Sequence, residues 1–125
     1  MNMTIIKIKA EIKPTENPKK VMTAISNLFG NIELNYDPSQ GIIMSEITDN
    51  QLSAFRRNIS RDRIRTTLNN TLCRWINEDY LSFGLNRQAA YAGHVSLNLT
   101  NEDPMGPIQI QIKGDVQGVI NFICS

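Results

Sequence analysis

The sequence predicts an α+β fold, a mostly antiparallel sheet packed against helices. Several short segments alternate apolar and polar residues with the period of two of a strand that buries one face. Others repeat apolar residues at helical spacing. Their order, strand, helix, hairpin, helix pair, three strands, helix, lacks the regular alternation that a parallel doubly wound sheet requires.

The first strand is the clearest: Ile6, Ile8, Ala10 and Ile12 alternate with Lys7, Lys9, Glu11 and Lys13. Pro14-Thr15-Glu16-Asn17-Pro18 then stops the ladder and starts a helix, because Asn17 can cap free amides and Pro18 suits a first helical position. Val21, Ile25, Leu28 and Phe29 give that helix its apolar stripe, and Gly30 can end it with a positive φ. Ile32, Leu34 and Tyr36, turn chemistry over residues 37–41 and an apolar run over 42–47 predict a hairpin. Thr48 or Asp49 caps the next helix, in which Leu52, Phe55 and Ile59 share a face. Ile64, Leu68, Leu72 and Ile76 share another, and the five-residue step from Ile59 to Ile64 predicts two helices or one bent helix. Strands are expected around Leu81, Phe83 and Leu85, around Val95, Leu97 and Leu99, and around Ile108, Ile110 and Ile112. Asp115 can cap a last helix carrying Val116, Val119, Ile120 and Ile123.

Residues 1–125 are read as one domain, without internal repeats, low-complexity tracts or a loop long enough to be a linker. With 41% hydrophobic and 20% charged residues the composition is that of an ordinary globular chain. No window approaches the roughly 18 apolar residues of a membrane span, and the start goes straight into alternation without the regions of a signal peptide. A cytoplasmic protein without membrane contact is the expectation. Cys73 and Cys124 have no metal-ligand spacing and read as reduced structural residues, so neither metal nor cofactor is expected.

Catalytic chemistry finds little support. The lone histidine, His94, alternates with an inward Val95 and reads as a surface or groove residue. A dyad of Cys73 with His94 would need a reactive thiol, yet Cys73 lies between Leu72 and Trp75 on a helix that reads as buried, where thiols tend to be inert. The adjacent acids Glu78-Asp79 and Glu102-Asp103 do not form an acid/base pair, and no phosphate loop, dinucleotide fingerprint or nucleophile elbow occurs. The expectation is a protein that is not an enzyme.

Charge is informative only locally. The net charge of +1 conceals a segment, residues 51–75, with six Arg and one Asp. Five of those arginines, Arg56, Arg57, Arg61, Arg63 and Arg65, fall within ten residues at the predicted helix junction. Arg57, Arg61 and Arg65, spaced by four, would form one ridge. A guanidinium donates two parallel hydrogen bonds to phosphate, and Asp62 alone cannot neutralise the cluster. A solvated helix face with local ion pairs is the plainer alternative. Of the aromatics, Phe29, Phe55, Trp75, Phe83 and Phe122 fall in apolar patterns and are expected in the core. That leaves Tyr36, Tyr80 and Tyr91 as stacking platforms and favours structured or duplex RNA over a stacked single strand.

Four segments, residues 9–18, 55–68, 85–95 and 104–108, resemble in the same order those of a small archaeal family of uncharacterised, predicted RNA-binding proteins. The most specific blocks are Asn86-Arg87-Gln88-Ala89-Ala90 and Met105-Gly106-Pro107-Ile108. The resemblance implies a fold like that of a large-subunit ribosomal protein, similar to a double-stranded-RNA-binding domain, with RNA binding and no established catalysis. It carries Arg56, Arg61 and Arg63 onto the family's basic helix junction, and Arg87 and Gln88 onto its Asn-Lys/Arg-Gln-Ala-Ala motif. Asp62 stands where a neutral Gln is expected.

The combined reading is a module for structured or duplex RNA. Arg56, Arg57, Arg61, Arg63 and Arg65 contact phosphate, and an outward-facing Asn86-Arg87-Gln88 turn contacts backbone or base edges. A homo-oligomer or a ribonucleoprotein partner is compatible with it. The rival is an interaction or assembly subunit that recognises an acidic partner through the same arginines.

Overall fold

In the computed structural model, which describes residues 4–98 and 106–125, the clearest strand of the sequence occupies the centre of the sheet. The chain runs β1 (Ile5–Glu11), α1 (Pro18–Phe29), β2 (Asn35–Asp37), β3 (Ile42–Thr48), α2 (Ser53–Arg61), α3 (Arg65–Trp75), β4 (Tyr80–Leu85), α4 (Arg87–Tyr91), β5 (Ile108–Lys113) and α5 (Val116–Ile123). A 3-10 turn at Asp49–Gln51 joins β3 to α2. The five strands lie in the order β2-β3-β1-β5-β4, and every pairing is antiparallel. This is the α+β architecture the pattern predicts. Among the described residues no helix is long and apolar enough to cross a membrane.

Alternation decides which face is covered. Ile6, Ile8 and Ala10 of β1 share a buried face with Ile43 and Ile47 of β3 and with Ile108, Ile110 and Ile112 of β5. Val21, Ile25 and Leu28 of α1, Phe55 and Ile59 of α2, Leu68 and Leu72 of α3 and the apolar stripe of α5 complete this core. Phe29 and Phe55 stack with centroids 4.5 Å apart, which ties α1 to α2. Each fully buried aliphatic side chain contributes about 1.5–3 kcal/mol, so the face assignment is strongly determined. The opposite face presents Lys7, Met44, Glu46, Ser82, Gln109 and Lys113 to solvent.

Local chemistry sets the helix ends. Asn17 Oδ1 accepts from the Lys19 amide at 2.9 Å with Pro18 in the first turn, and Asp115 Oδ1 accepts from the Gly118 amide at 3.1 Å. Gly30 closes α1 at φ +81°.

Several expectations are corrected. The strand predicted over 95–99 is reduced to one bridge between Leu97 and Leu85, Leu99 lying outside the described residues. The preceding Arg87–Tyr91 segment is a short helix, begun by Asn86, whose Oδ1 accepts from the Ala89 amide at 2.9 Å. The hairpin is shorter than predicted: Ile32 and Leu34 pack against the core without joining the ladder. Trp75 and Phe122 are 40% and 37% exposed rather than core residues, since the buried stripes of their helices run through Leu68 and Leu72, and through Val116, Val119, Ile120 and Ile123.

The α2–α3 junction resolves the phase break between Ile59 and Ile64. The amide of Arg63 donates to Ser60 O at 3.2 Å and that of Ile64 to Ile59 O at 3.4 Å, the paired bonds of a Schellman turn. Such a turn needs a left-handed residue, usually glycine, and here Arg63 takes φ +58°. The left-handed state costs an L residue roughly 1–2 kcal/mol, which the packing of Ile59 and Ile64 on the core offsets. Arg63→Gly is therefore expected to raise stability by about 1 kcal/mol, read as a higher urea midpoint. An unchanged or lower midpoint would contradict the strain assigned to this turn.

Candidate nucleic-acid interface at the helix junction

α2 buries Phe55 and Ile59 and so turns Arg56, Arg57, Ser60 and Arg61 away from the core. Asn58 holds the helix in place, its Nδ2 donating to Asn27 O at 2.9 Å and Leu28 O at 2.8 Å at the end of α1. The Schellman turn then brings the first residue of α3, Arg65, round to the same side. Arg56, Arg57, Ser60, Arg61, Arg65 and Ser125 line one open groove of about 370 Å³. The structure thus unites the predicted ridge of Arg57, Arg61 and Arg65 and adds Arg56, while Arg63 is exposed on the turn itself. α3 begins without a side-chain cap or an acid in its first turn, so its positive dipole end adds to the field.

Among the described residues, only Arg61 of the five junction arginines has a carboxylate partner. Arg56 is positioned by neutral contacts: its Nε donates to Ser125 Oγ at 2.8 Å, and its guanidinium lies 5.3 Å from the Phe122 ring centroid.

Asp62, the lone acid of the segment, has a different task. Its side chain, 11% exposed, accepts from the Val95 amide at 2.8 Å, lies 3.1 Å from His94 Nδ1 and accepts from Arg61 Nε at 3.2 Å. Arg61 Nη2 also donates to Gly93 O. Burial raises the Asp62 pKa, but the Val95 amide, His94 and Arg61 outweigh it and hold the carboxyl below its ordinary value of 3.8. Asp62 therefore pins the loop after α4 to the end of α2 and leaves the remaining arginines unneutralised.

The second predicted group divides. Arg87, expected to face outward, is completely buried: Nη1 donates to Glu16 Oε1 and Oε2 at 2.9 and 2.8 Å and to Glu11 O at 2.8 Å. Glu16, itself 4% exposed, also accepts from the Lys13 amide at 2.9 Å. Arg87 locks α4 to the β1–α1 loop and offers no contact surface, while Asn86, half-buried, uses its Oδ1 as the cap of α4. Gln88 is exposed, away from the arginine groove, in a recess with Thr15, Asn17, Lys20 and Tyr91.

His94 is exposed, as predicted, and its Nδ1 faces Asp62. Cys73 and Cys124 are free and half-buried; burial, with Cys73 adding to it and Arg65 opposing, pushes the Cys124 thiol up to about 11. Among the described residues no cluster of three His, Cys, Asp or Glu could hold a metal ion.

A family model described as RNA binding matches residues 5–114, and the UPF0201 protein of Metallosphaera sedula is 31% identical, over 97% of this chain and 87% of its own length. The chain belongs to the archaeal UPF0201 family. Another UPF0201 protein, from Sulfurisphaera tokodaii, is 32% identical, again over 97% of this chain and 87% of its own. The solved UPF0201 structure from Methanococcus jannaschii matches with a TM-score of 0.82 at 26% identity, covering 97% of this chain and 99% of that one. The Asn86–Ala90 block that carried the family resemblance in the sequence is, in this UPF0201 chain, a cap followed by a buried arginine; Pro104 and Met105 of the other block lie outside the described residues.

Two outcomes test this arrangement. Arg87→Met should destabilise the fold by roughly 3–5 kcal/mol in urea unfolding, because it strands the Glu16 carboxylate in the interior; a loss under about 1 kcal/mol would refute the structural role. Asp62, with its folded pKa depressed, contributes stability that is present above the unfolded value of about 3.9 and is lost as pH falls through the lower folded value. Asp62→Asn should flatten that acid limb below about pH 4, measured as the thermal midpoint against pH.

Proposed function

We propose that the protein is a non-catalytic RNA-binding module that grips the phosphates of structured or duplex RNA with the groove between α2 and α3. One observation carries this reading: several arginines line a single open groove, and the nearest carboxylate, Asp62, engages Arg61 alone among them while its other oxygen holds the Val95 amide. A purely solvated surface has no need to hold one guanidinium over an aromatic ring and another against a backbone carbonyl. Membership in a family described as RNA binding supports the same class of ligand. Arg57, Arg61 and Arg65 act as phosphate donors, Arg61 also joining the groove to the pinned loop, and Arg56 is oriented by Phe122 and Ser125. Arg87, being buried, drops out of the interface, and Asn86 and Gln88 stay available.

Each phosphate neutralised releases counterions, so affinity for a hairpin RNA should fall with salt by a log–log slope of roughly 0.7–0.9 per contact. Arg57→Gln, Arg61→Gln and Arg65→Gln should each flatten the slope by about one contact and weaken binding alike across RNA sequences, with folding verified by circular dichroism. Three unchanged slopes would move the interface elsewhere. Binding to an acidic polypeptide as tight as to RNA would favour an assembly partner instead.

A further inference from the structure

The arginine groove has a neighbour where α2 begins beside α5. Asp49, Asn50, Ser53, Asp115, Gly118 and Phe122 line an open cavity of about 410 Å³, within the roughly 300–1,000 Å³ of small-molecule sites. Two contacts join it to the groove. The Phe122 ring, which lines the cavity, carries 5.3 Å from its centroid the guanidinium of Arg56, which lines the groove. Ser53 of the cavity and Arg57 of the groove are four residues apart on α2, where such pairs are neighbours with Cβ atoms about 5–6 Å apart. The Arg56–Phe122 pair is thus the wall between the two spaces.

The cavity is chemically unlike the groove. Among the described residues no Arg, Lys or His lines it, so phosphate belongs in the groove and not here. Asp115 is spent on its own helix, Oδ1 accepting from the Gly118 amide at 3.1 Å. The Asp49 carboxylate is exposed and, among the described residues, has no hydrogen-bond or ion-pair partner. A carboxylate accepts through two oxygens side by side, and Phe122, 37% exposed, supplies the face on which a flat ring stacks. Among the RNA bases, only guanine presents two adjacent donor groups, N1–H and the N2 amino group, on its Watson–Crick edge. A cationic side chain also suits an aromatic ring beside a carboxylate, but a partner that brought one here would press its positive charge against the neighbouring arginines.

Resting on the RNA-binding reading, we infer that this cavity takes one unpaired guanine of an RNA whose adjoining phosphates lie in the arginine groove. The base stacks on Phe122 from the cavity side, and the Asp49 carboxylate accepts from N1–H and the N2 amino group. Arg56, held against the same ring, meets the phosphate next to that base. The preferred ligand is then a helix interrupted by an unpaired guanine, rather than a perfect duplex.

Hairpins of one sequence, unbulged or carrying a single bulged G, A, C or U, test this by fluorescence anisotropy. The guanine bulge should bind more tightly than the other three, and about fivefold or more tightly than the unbulged hairpin, a low figure for one base stacked on an aromatic ring. Inosine at the bulge, which lacks the N2 amino group, should lose part of that gain. Asp49→Asn should abolish the ratio of guanine to adenine binding, a ratio in which any general effect of the lost charge cancels. Phe122→Leu should lower the ratio of bulged to unbulged binding, and Phe122→Tyr should retain it. Equal affinity for the four bulges, inosine equal to guanine, or a guanine preference that survives Asp49→Asn would overturn the cavity proposal alone, with hairpin binding and its salt slope intact. Amide shifts at Asp49 and Ser53 induced by arginine amide but not by guanosine monophosphate would assign the cavity to a cationic partner and overturn it as well. Failure of the unmodified protein to bind any hairpin would overturn the RNA reading and the cavity with it.

Discussion

The buried ion pair of Arg87 and Glu16 is the constraint on which the layout of the arginine surface depends. Removing two charges from water costs several kcal/mol per ion, and here the cost is offset by two bonds from one guanidinium nitrogen to the carboxylate, a third to the Glu11 carbonyl, and the Lys13 amide on the far side. The partners are 71 residues apart, so the pair joins the loop after the first strand to a short helix late in the chain. α4 has only five residues and could not persist by its own propensity. It exists because its first side chain is tethered in the interior and Asn86 caps it.

From that anchor the electrostatics follow. With α4 in place, the loop behind it reaches the end of α2, where Asp62 accepts the Val95 amide. The one acid in an arginine-rich segment is thereby turned inward as a fastener. In this position it orders the surface and pairs with Arg61 alone, leaving Arg56, Arg57 and Arg65 without a carboxylate partner among the described residues.

Much of the fold was legible because its determinants are local. The alternation of Ile6, Ile8 and Ala10, the Asn17 and Asp115 caps and the break between Ile59 and Ile64 all act within a few residues, and each reappears where the pattern placed it. The arginine ridge was legible for the same reason, its spacing surviving the turn because Arg63 adopts the left-handed conformation. Long-range pairings were not legible. Nothing near Arg87 signals that its partner is Glu16, so a charged residue after a capping asparagine looked like surface. A helix of five residues is also too short to show a period. Trp75 and Phe122 were misplaced because apolar character says that a side chain has a use, not which face of its helix is covered.

The central place of β1 bears on how the chain is made. Its pairing with β3 is available once residue 48 has emerged from the ribosome, but its other edge waits for β5, where Ile8 meets Ile110. Through that interval the strand offers bare amides and carbonyls beside an uncovered row of isoleucines, the template on which chains pair with the wrong neighbour. Non-local pairing of this kind slows folding and lengthens the exposure. Lys7 and Lys9, which alternate with those isoleucines, place positive charge along the waiting edge. Lysines on a strand whose edge is open are the kind of charge that opposes edge-to-edge pairing.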